Sequence, residues 1–128
     1  MSEGSILVVD DDPNSLDIVS TFLEAKGYQV ATAADGQEAL AMLEQVRPIL
    51  ILLDVMMPGM DGWEVARVVK NHPEFSEVRV VMLTARSDFT DKQEGLRSGA
   101  DDYIVKPVRL DDLERRVERN LKATRRSA

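Results

Sequence analysis

Short apolar runs recur along the chain at residues 6–9, 28–32, 49–53, 78–83 and 103–105. Most show no polar alternation, as expected of strands buried on both faces of a parallel sheet. The run at 28–32 does alternate, which predicts an edge strand. Between the runs lie segments with helical spacing. Leu16, Val19, Phe22 and Leu23 form one stripe, and Leu40, Leu43 and Val46 a second. Val65, Val68 and Val69 form a third, and Leu110, Leu113, Val117 and Leu121 the last and longest. The stretch at 87–97 completes the alternation as a fourth helix, although only Phe89 and Leu96 mark an apolar side.

The punctuation agrees with this division. Asp12-Pro13 reads as an N-cap followed by proline in the first helical turn. Gly27 and Gly99 stand where helices should stop, and Arg47-Pro48 separates the second helix from the third strand. Five strands and five helices in strict alternation predict one α/β domain. Its sheet is parallel, its crossovers are right-handed, and helices cover both faces.

Composition narrows the chemistry. The 128 residues suit a single domain. The net charge of −7 disfavours direct binding to nucleic acid or to an anionic membrane surface. Cysteine is absent, which excludes disulfides, thiolate catalysis and Cys-ligated metal centres, and the single histidine, His72, excludes multi-His sites. No targeting segment and no run near the roughly 20 residues of a bilayer span is visible, so a cytoplasmic protein is expected. The charge is unevenly placed: residues 113–128 hold six basic and two acidic side chains, net +4, which leaves −11 on the rest. The excess reads first as a helix face with cations near its C-terminus. The alternative is the start of a linker or a docking face.

The informative residues follow the strands: Asp10-Asp11-Asp12, Asp54, Thr84-Ala85 and Lys106-Pro107. Ligands of open α/β sheets bind outside the carboxyl ends of the strands, where strand order reverses. With the order 2-1-3-4-5, these residues share one edge of the sheet. Two carboxylates 4 Å apart repel by about 4 kcal/mol at an effective dielectric of 20, so such a cluster holds protons or a divalent cation. Oxygen-only ligands select a hard ion, Mg²⁺ or Mn²⁺, which commonly completes its shell with water and phosphate oxygens. Lys106 and Thr84 then suit a phosphoryl group, as a point charge and a short donor.

Four motifs in this order, at residues 6–12, 52–62, 82–85 and 103–107, resemble the receiver domain of two-component response regulators, and the resemblance runs from about Ser5 to about Leu121. It implies a flavodoxin-like fold, with a receiver domain over 1–121 and a basic tail or linker start over 122–128. It implies that Asp54 is the phosphoryl acceptor. Asp10, Asp11, Asp54 and the Met56 backbone carbonyl are the implied metal ligands. Thr84 and Lys106 would stabilise the phosphoryl group, Thr84 and Tyr103 would switch, and Met56 and Arg86 would modulate hydrolysis. The resemblance also implies a cis Lys106-Pro107 bond, which an X–Pro peptide tolerates. The implied partners are a histidine kinase or phosphotransfer protein and a downstream protein or fused output domain. Homodimerisation through the fourth and fifth helices is compatible with this. The switched surface would comprise the fourth helix, the fifth strand and the fifth helix.

Each residue also has a plainer reading. Asp12 is explained by capping alone. Trp63 reads as packing or surface, and Tyr103 equally as a half-buried strand tyrosine. His72 reads as a helix-end residue. Two other function classes compete. A haloacid dehalogenase-type phosphatase would use Asp10-Asp11-Asp12, Thr84, Lys106 and Asp101-Asp102, but leaves Asp54 without a task. A phosphorylation-independent scaffold would leave the whole set idle.

Overall fold

A computed structural model describes residues 5–85 and 99–127. The elements run β1 Ser5–Val9, α1 Pro13–Ala25, β2 Gln29–Ala33, α2 Gly36–Val46, β3 Pro48–Asp54, α3 Gly62–Asn71, β4 Arg79–Thr84, β5 Asp102–Val105 and α4 Leu110–Ser127. All strands pair in parallel, in the order β2-β1-β3-β4-β5. The alternating run is the edge strand β2, as its pattern predicts. The expectation of five helices is corrected: the described residues hold four. The segment expected as the fourth of five, 87–97, falls at 86–98, outside the described residues. Its two apolar residues made it the least determined stretch of the pattern, because so sparse a stripe specifies no buried helical face.

Burial follows strand parity. Leu7, Val9, Ile51, Leu53, Val80 and Met82 face α2 and α3, in a core completed by Ala39, Leu43, Trp63, Val65 and Val69. Ile6, Val8, Leu50, Leu52, Val81 and Leu83 face α1 and α4, against Val19, Leu23, Leu113, Val117 and Leu121. Successive side chains point to opposite faces of a strand, so a strand with cores on both sides must be apolar throughout. Val68, counted with the third stripe, is instead 43% exposed.

Aspartates start three helices. Asp12 Oδ1 accepts from Asn14 N at 3.1 Å, Asp35 Oδ1 from Glu38 N at 2.8 Å, and Asp61 Oδ1 from Glu64 N at 3.0 Å. Each satisfies an amide left over by the first turn. Arg47 ends α2 with φ 48°, and the Lys106–Pro107 peptide is cis.

A polar network crosses the end of the sheet where β4 and β5 begin. Lys70 Nζ donates to Asp101 Oδ2 at 2.9 Å and to the Val78 carbonyl at 2.9 Å. Asp101 Oδ2 also accepts from Val80 N at 2.8 Å. Arg79 Nη1 lies 3.5 Å from Asp101 Oδ1, and its Nη2 donates to Asn120 Oδ1 at 3.0 Å. Asn120 Nδ2 donates to Asp102 Oδ2 at 3.0 Å, and Asp102 receives Arg116 Nη1 at 2.7 Å and Arg119 Nη2 at 2.8 Å. Asp102 and Asn120 are buried, so this chain ties α3, β4, β5 and α4 together through satisfied polar groups.

Burial pushes the Asp102 carboxyl up, but the hydrogen bonds from Arg119, the Tyr103 amide and Asn120, with the charge of Arg116, outweigh it and hold the pKa below the ordinary 3.8. A depressed folded pKa contributes stability that is present above the unfolded value and lost as pH falls through the folded one. Asp102→Ala is expected to cost about 3 kcal/mol at neutral pH, because it leaves buried donors unpaired. In urea denaturation the gap between wild type and variant should narrow as pH falls below about 4. A gap independent of pH would contradict this role.

Candidate functional site

The site lies at the carboxyl ends of β1, β3, β4 and β5. Sheet register brings its members together: Val9 pairs with Leu53, Asp54 with Leu83, and Thr84 with Val105, so the residues after these strands end at one level. Asp10 directly follows β1, Asp54 ends β3, Thr84 ends β4, and Lys106 directly follows β5. Asp10, Asp54 and Thr84 are buried, whereas Asp11 is exposed.

Carboxylate oxygens of Asp10, Asp11 and Asp54 lie within 4.8 Å of one another. Lys106 Nζ donates to Asp54 Oδ1 at 2.8 Å across the switch point. The Asp12 amide donates to Asp10 Oδ1 at 2.9 Å, and the Met56 amide approaches Asp54 Oδ1 at 3.4 Å. Thr84 Oγ1 donates to the Ala85 carbonyl at 3.0 Å, and the Lys106 amide donates to the Thr84 carbonyl at 2.8 Å. A cavity of about 200 Å³ opens beside the cluster, lined by Asp10, Ser15, Ile18, Lys106, Pro107 and Val108 among others.

The charges do not balance. One ammonium faces three carboxylates. Burial pushes the Asp10 pKa up to about 6; the Asp12 amide opposes this, and the neighbouring Asp54 adds to it. Burial pulls the Lys106 ammonium down, but the hydrogen bond and charge of Asp54, with Asp10 and Asp11 beyond, outweigh it and hold its pKa above the ordinary value. A partly exposed cluster of oxygen donors short of positive charge is the donor set of a hard divalent cation. The residues present therefore fit such an ion.

The remaining expected residues are distributed around this cluster. Met56, two residues past Asp54, is 65% exposed. Arg86 lies outside the described residues. Tyr103 is half-buried on β5, two residues before the position paired with Thr84, and packs against the α3 side of the core. His72 caps α3 and accepts from the Glu74 amide through Nδ1 at 3.0 Å, away from the acidic edge.

Gly62 is a functional position that the chain pattern did not single out. Its amide donates to the Val55 carbonyl at 3.0 Å. A Cβ here would collide with the Asp54 carbonyl oxygen and lie 2.9 Å from Val55 Cα. Only glycine lets the start of α3 close onto the backbone that carries Asp54. The available signal was Asp61-Gly62, an N-cap followed by a residue that is a poor helix former.

The family model described as the response regulator receiver domain matches residues 6–118. The DNA-binding response regulator MtrA of Mycolicibacterium smegmatis is 44% identical over 117 residues, covering 91% of this chain and 50% of the relative. The probable transcriptional regulator ycf27 of Cyanophora paradoxa is 43% identical over 124 residues, covering 97% of this chain and 51% of the relative. The chain thus spans about half the length of these curated relatives. Among solved structures, the receiver domain protein of Methanospirillum hungatei superposes with a TM-score of 0.90 at 34% identity, covering 99% of this chain and 100% of that one. The chemotaxis protein CheY4 of Vibrio cholerae superposes with a TM-score of 0.85 at 37% identity, covering 91% and 97%.

The raised Asp10 pKa has a checkable sign. Between the ordinary 3.8 and about 6 the folded protein binds more protons here than the unfolded chain, so this group makes stability fall as pH rises through that window. Carboxyl-carbon NMR on metal-free protein should show Asp10 titrating near 6. Asp54→Asn should lower that value, because it removes a charge that raises it. Lys106→Met should raise it further. Unchanged titration in both variants would contradict the coupling.

Proposed function

Because the chain belongs to the response regulator receiver domain family, we propose that Asp54 is its phosphoryl acceptor and that a histidine kinase or phosphotransfer protein is the donor. Receiver domains of this family are phospho-acceptors of two-component signalling rather than turnover enzymes. The observation that carries the residue assignment is the Lys106–Asp54 pair, 2.8 Å long and set within the Asp10-Asp11-Asp54 cluster. A phosphatase of haloacid dehalogenase type would make Asp10 the nucleophile and leave this buried, ion-paired aspartate idle.

Asp54 attacks the phosphorus of a phosphohistidine through a carboxylate oxygen. The P–N bond breaks, its electron pair stays on the imidazole nitrogen, and an acyl phosphate forms on Asp54. A small donor such as acetyl phosphate loses its P–O bond to the acetate oxygen in the same way. Lys106, already against Asp54 Oδ1, is positioned to follow the new negative charge onto a phosphoryl oxygen. Thr84 Oγ1 rotates from the Ala85 carbonyl to donate to a second phosphoryl oxygen. Asp10, Asp11, Asp54 and the Met56 carbonyl would hold Mg²⁺ or Mn²⁺. When bound, the ion offsets negative charge on the nucleophile and the transferring group.

The transfer replaces one carboxylate charge with about two negative charges on the phosphoryl group. Movement of Thr84 then passes to β5, its neighbour in the sheet, and to Tyr103 and α4, which form the face offered to a downstream partner. Relatives about twice as long are named DNA-binding and transcriptional regulators, and a transcriptional output is the partner class we infer. Among the described residues no helix is long and apolar enough to cross a membrane.

Incubation with acetyl phosphate should label the wild type in a Mg²⁺-dependent manner and leave Asp54→Asn at background. Equal labelling of the two, or labelling indifferent to a chelator, would sink the assignment. Turnover of p-nitrophenyl phosphate lost in Asp10→Asn and kept in Asp54→Asn would favour the phosphatase. Met56 is exposed and its amide approaches Asp54, which places its side chain to control the approach of hydrolytic water. Met56→Ala is expected to change the rate of phosphoryl loss severalfold, and an unchanged decay of the labelled protein would remove it from that role.

A further inference from the structure

Trp63 presents the one buried side-chain polar atom without a partner among the described residues: its indole Nε1–H. The residue is only 5% exposed, so no bulk water compensates the donor. Buried polar groups are paired in nearly all native structures, and an exception asks for a reason. A phenylalanine would fill much of the same space without the desolvated N–H.

Its position supplies a reason. Trp63 follows Gly62, whose amide holds the Val55 carbonyl and whose bare Cα rests against the Asp54 backbone. The indole is thus rooted one residue from the segment that carries the acceptor. Its ring packs on Tyr103, with centroids 6.1 Å apart and planes tilted by 59°. Tyr103 is half-buried, and its hydroxyl makes no hydrogen bond among the described residues. A donor without an acceptor and a hydroxyl able to accept therefore lie on two rings in contact. Rotation of the tyrosine between staggered wells moves its hydroxyl relative to the indole edge.

We propose that the Trp63 indole N–H is the buried donor that captures the Tyr103 hydroxyl when Asp54 is phosphorylated, which makes Trp63 a positioning residue for the inward state of the tyrosine. The inference rests on the receiver reading above. Phosphorylation draws Thr84 toward Asp54, and Thr84 is paired with Val105, two residues beyond Tyr103 on β5. The space released on this side lets the tyrosine turn. The unmade hydrogen bond of the resting state disfavours that state, so the indole biases the equilibrium toward the loaded one. Trp63 touches neither the phosphoryl group nor the donor; it acts through Tyr103.

The chain has a single tryptophan, so ¹⁵N-labelled protein gives one indole resonance. Loading with acetyl phosphate and Mg²⁺, or with beryllofluoride, is followed by that resonance. Intact mass reports the phosphoryl gain for acetyl phosphate. In the loaded wild type the indole proton should move downfield and exchange with deuterium about tenfold more slowly, as expected for a newly formed hydrogen bond. Tyr103→Phe keeps the ring contact but lacks the acceptor, and on loading it should show neither change. Loaded wild type with an unchanged indole, or the same response in loaded Tyr103→Phe, overturns the inference and leaves the receiver reading intact. Wild type that gains no phosphoryl group overturns the receiver reading, and the inference with it.

Discussion

A single lysine holds the acidic edge of this sheet together. Asp10 and Asp54 end neighbouring strands, are buried, and share their corner with Asp11. At about 4 Å and an effective dielectric of 20, each like-charged pair costs about 4 kcal/mol. Lys106, reaching over from the end of β5, places its ammonium 2.8 Å from Asp54 and relieves part of that repulsion. One positive charge cannot neutralise three negative ones, and the raised pKa of Asp10 expresses the shortfall. The same shortfall makes the corner receptive to a divalent cation. On the proposed reading, the same lysine would follow negative charge from the carboxylate to a phosphoryl group.

That lysine is effective because β5 is anchored at both ends. The strand is only four residues long and sits at the edge of the sheet. At its start, Asp102 is gripped by Arg116, Arg119 and Asn120 of α4. Just past its end, Lys106 is gripped by Asp54. Tyr103 lies between the two anchors, with Trp63 against its ring. On the proposed reading, a change in the charge of Asp54 would alter one anchor while the other stays, which would confine the response to β5, Thr84 and the face they share with α4. The two-sided core beneath supplies the rigidity this needs, since β1, β3 and β4 pack apolar side chains into both layers.

Several of these features were readable in the chain before any coordinates. Strands buried on both faces must be apolar at every position, and the runs at 6–9, 49–53 and 80–83 are. The alternating run at 28–32 marked the edge strand. Polar residues at the ends of such runs, Asp10, Asp11, Asp54, Thr84 and Lys106, each have a plainer reading alone and pointed to chemistry as a set sharing one edge of the sheet. Parts with no local signature were not readable. Asp101 and Asp102 look like ordinary turn acids, and Asn120 like an exposed helix residue. Their partners Lys70, Arg79, Arg116 and Arg119 lie 14 to 31 positions from them in the chain. Gly62 resembles any glycine after an N-cap until the Asp54 carbonyl is seen against it.

The division follows from the range of the forces. Periodicity, capping and turn chemistry act over a few residues, so the sequence by itself determined the five strands, the four described helices and the residues left at the strand ends. Hydrogen bonds and ion pairs act over a few ångströms of space, whatever the distance along the chain. Only the tertiary structure therefore decided that Lys106 meets Asp54, that Asp102 is buried among α4 cations, and that Trp63 lies against Tyr103 with its N–H unspent.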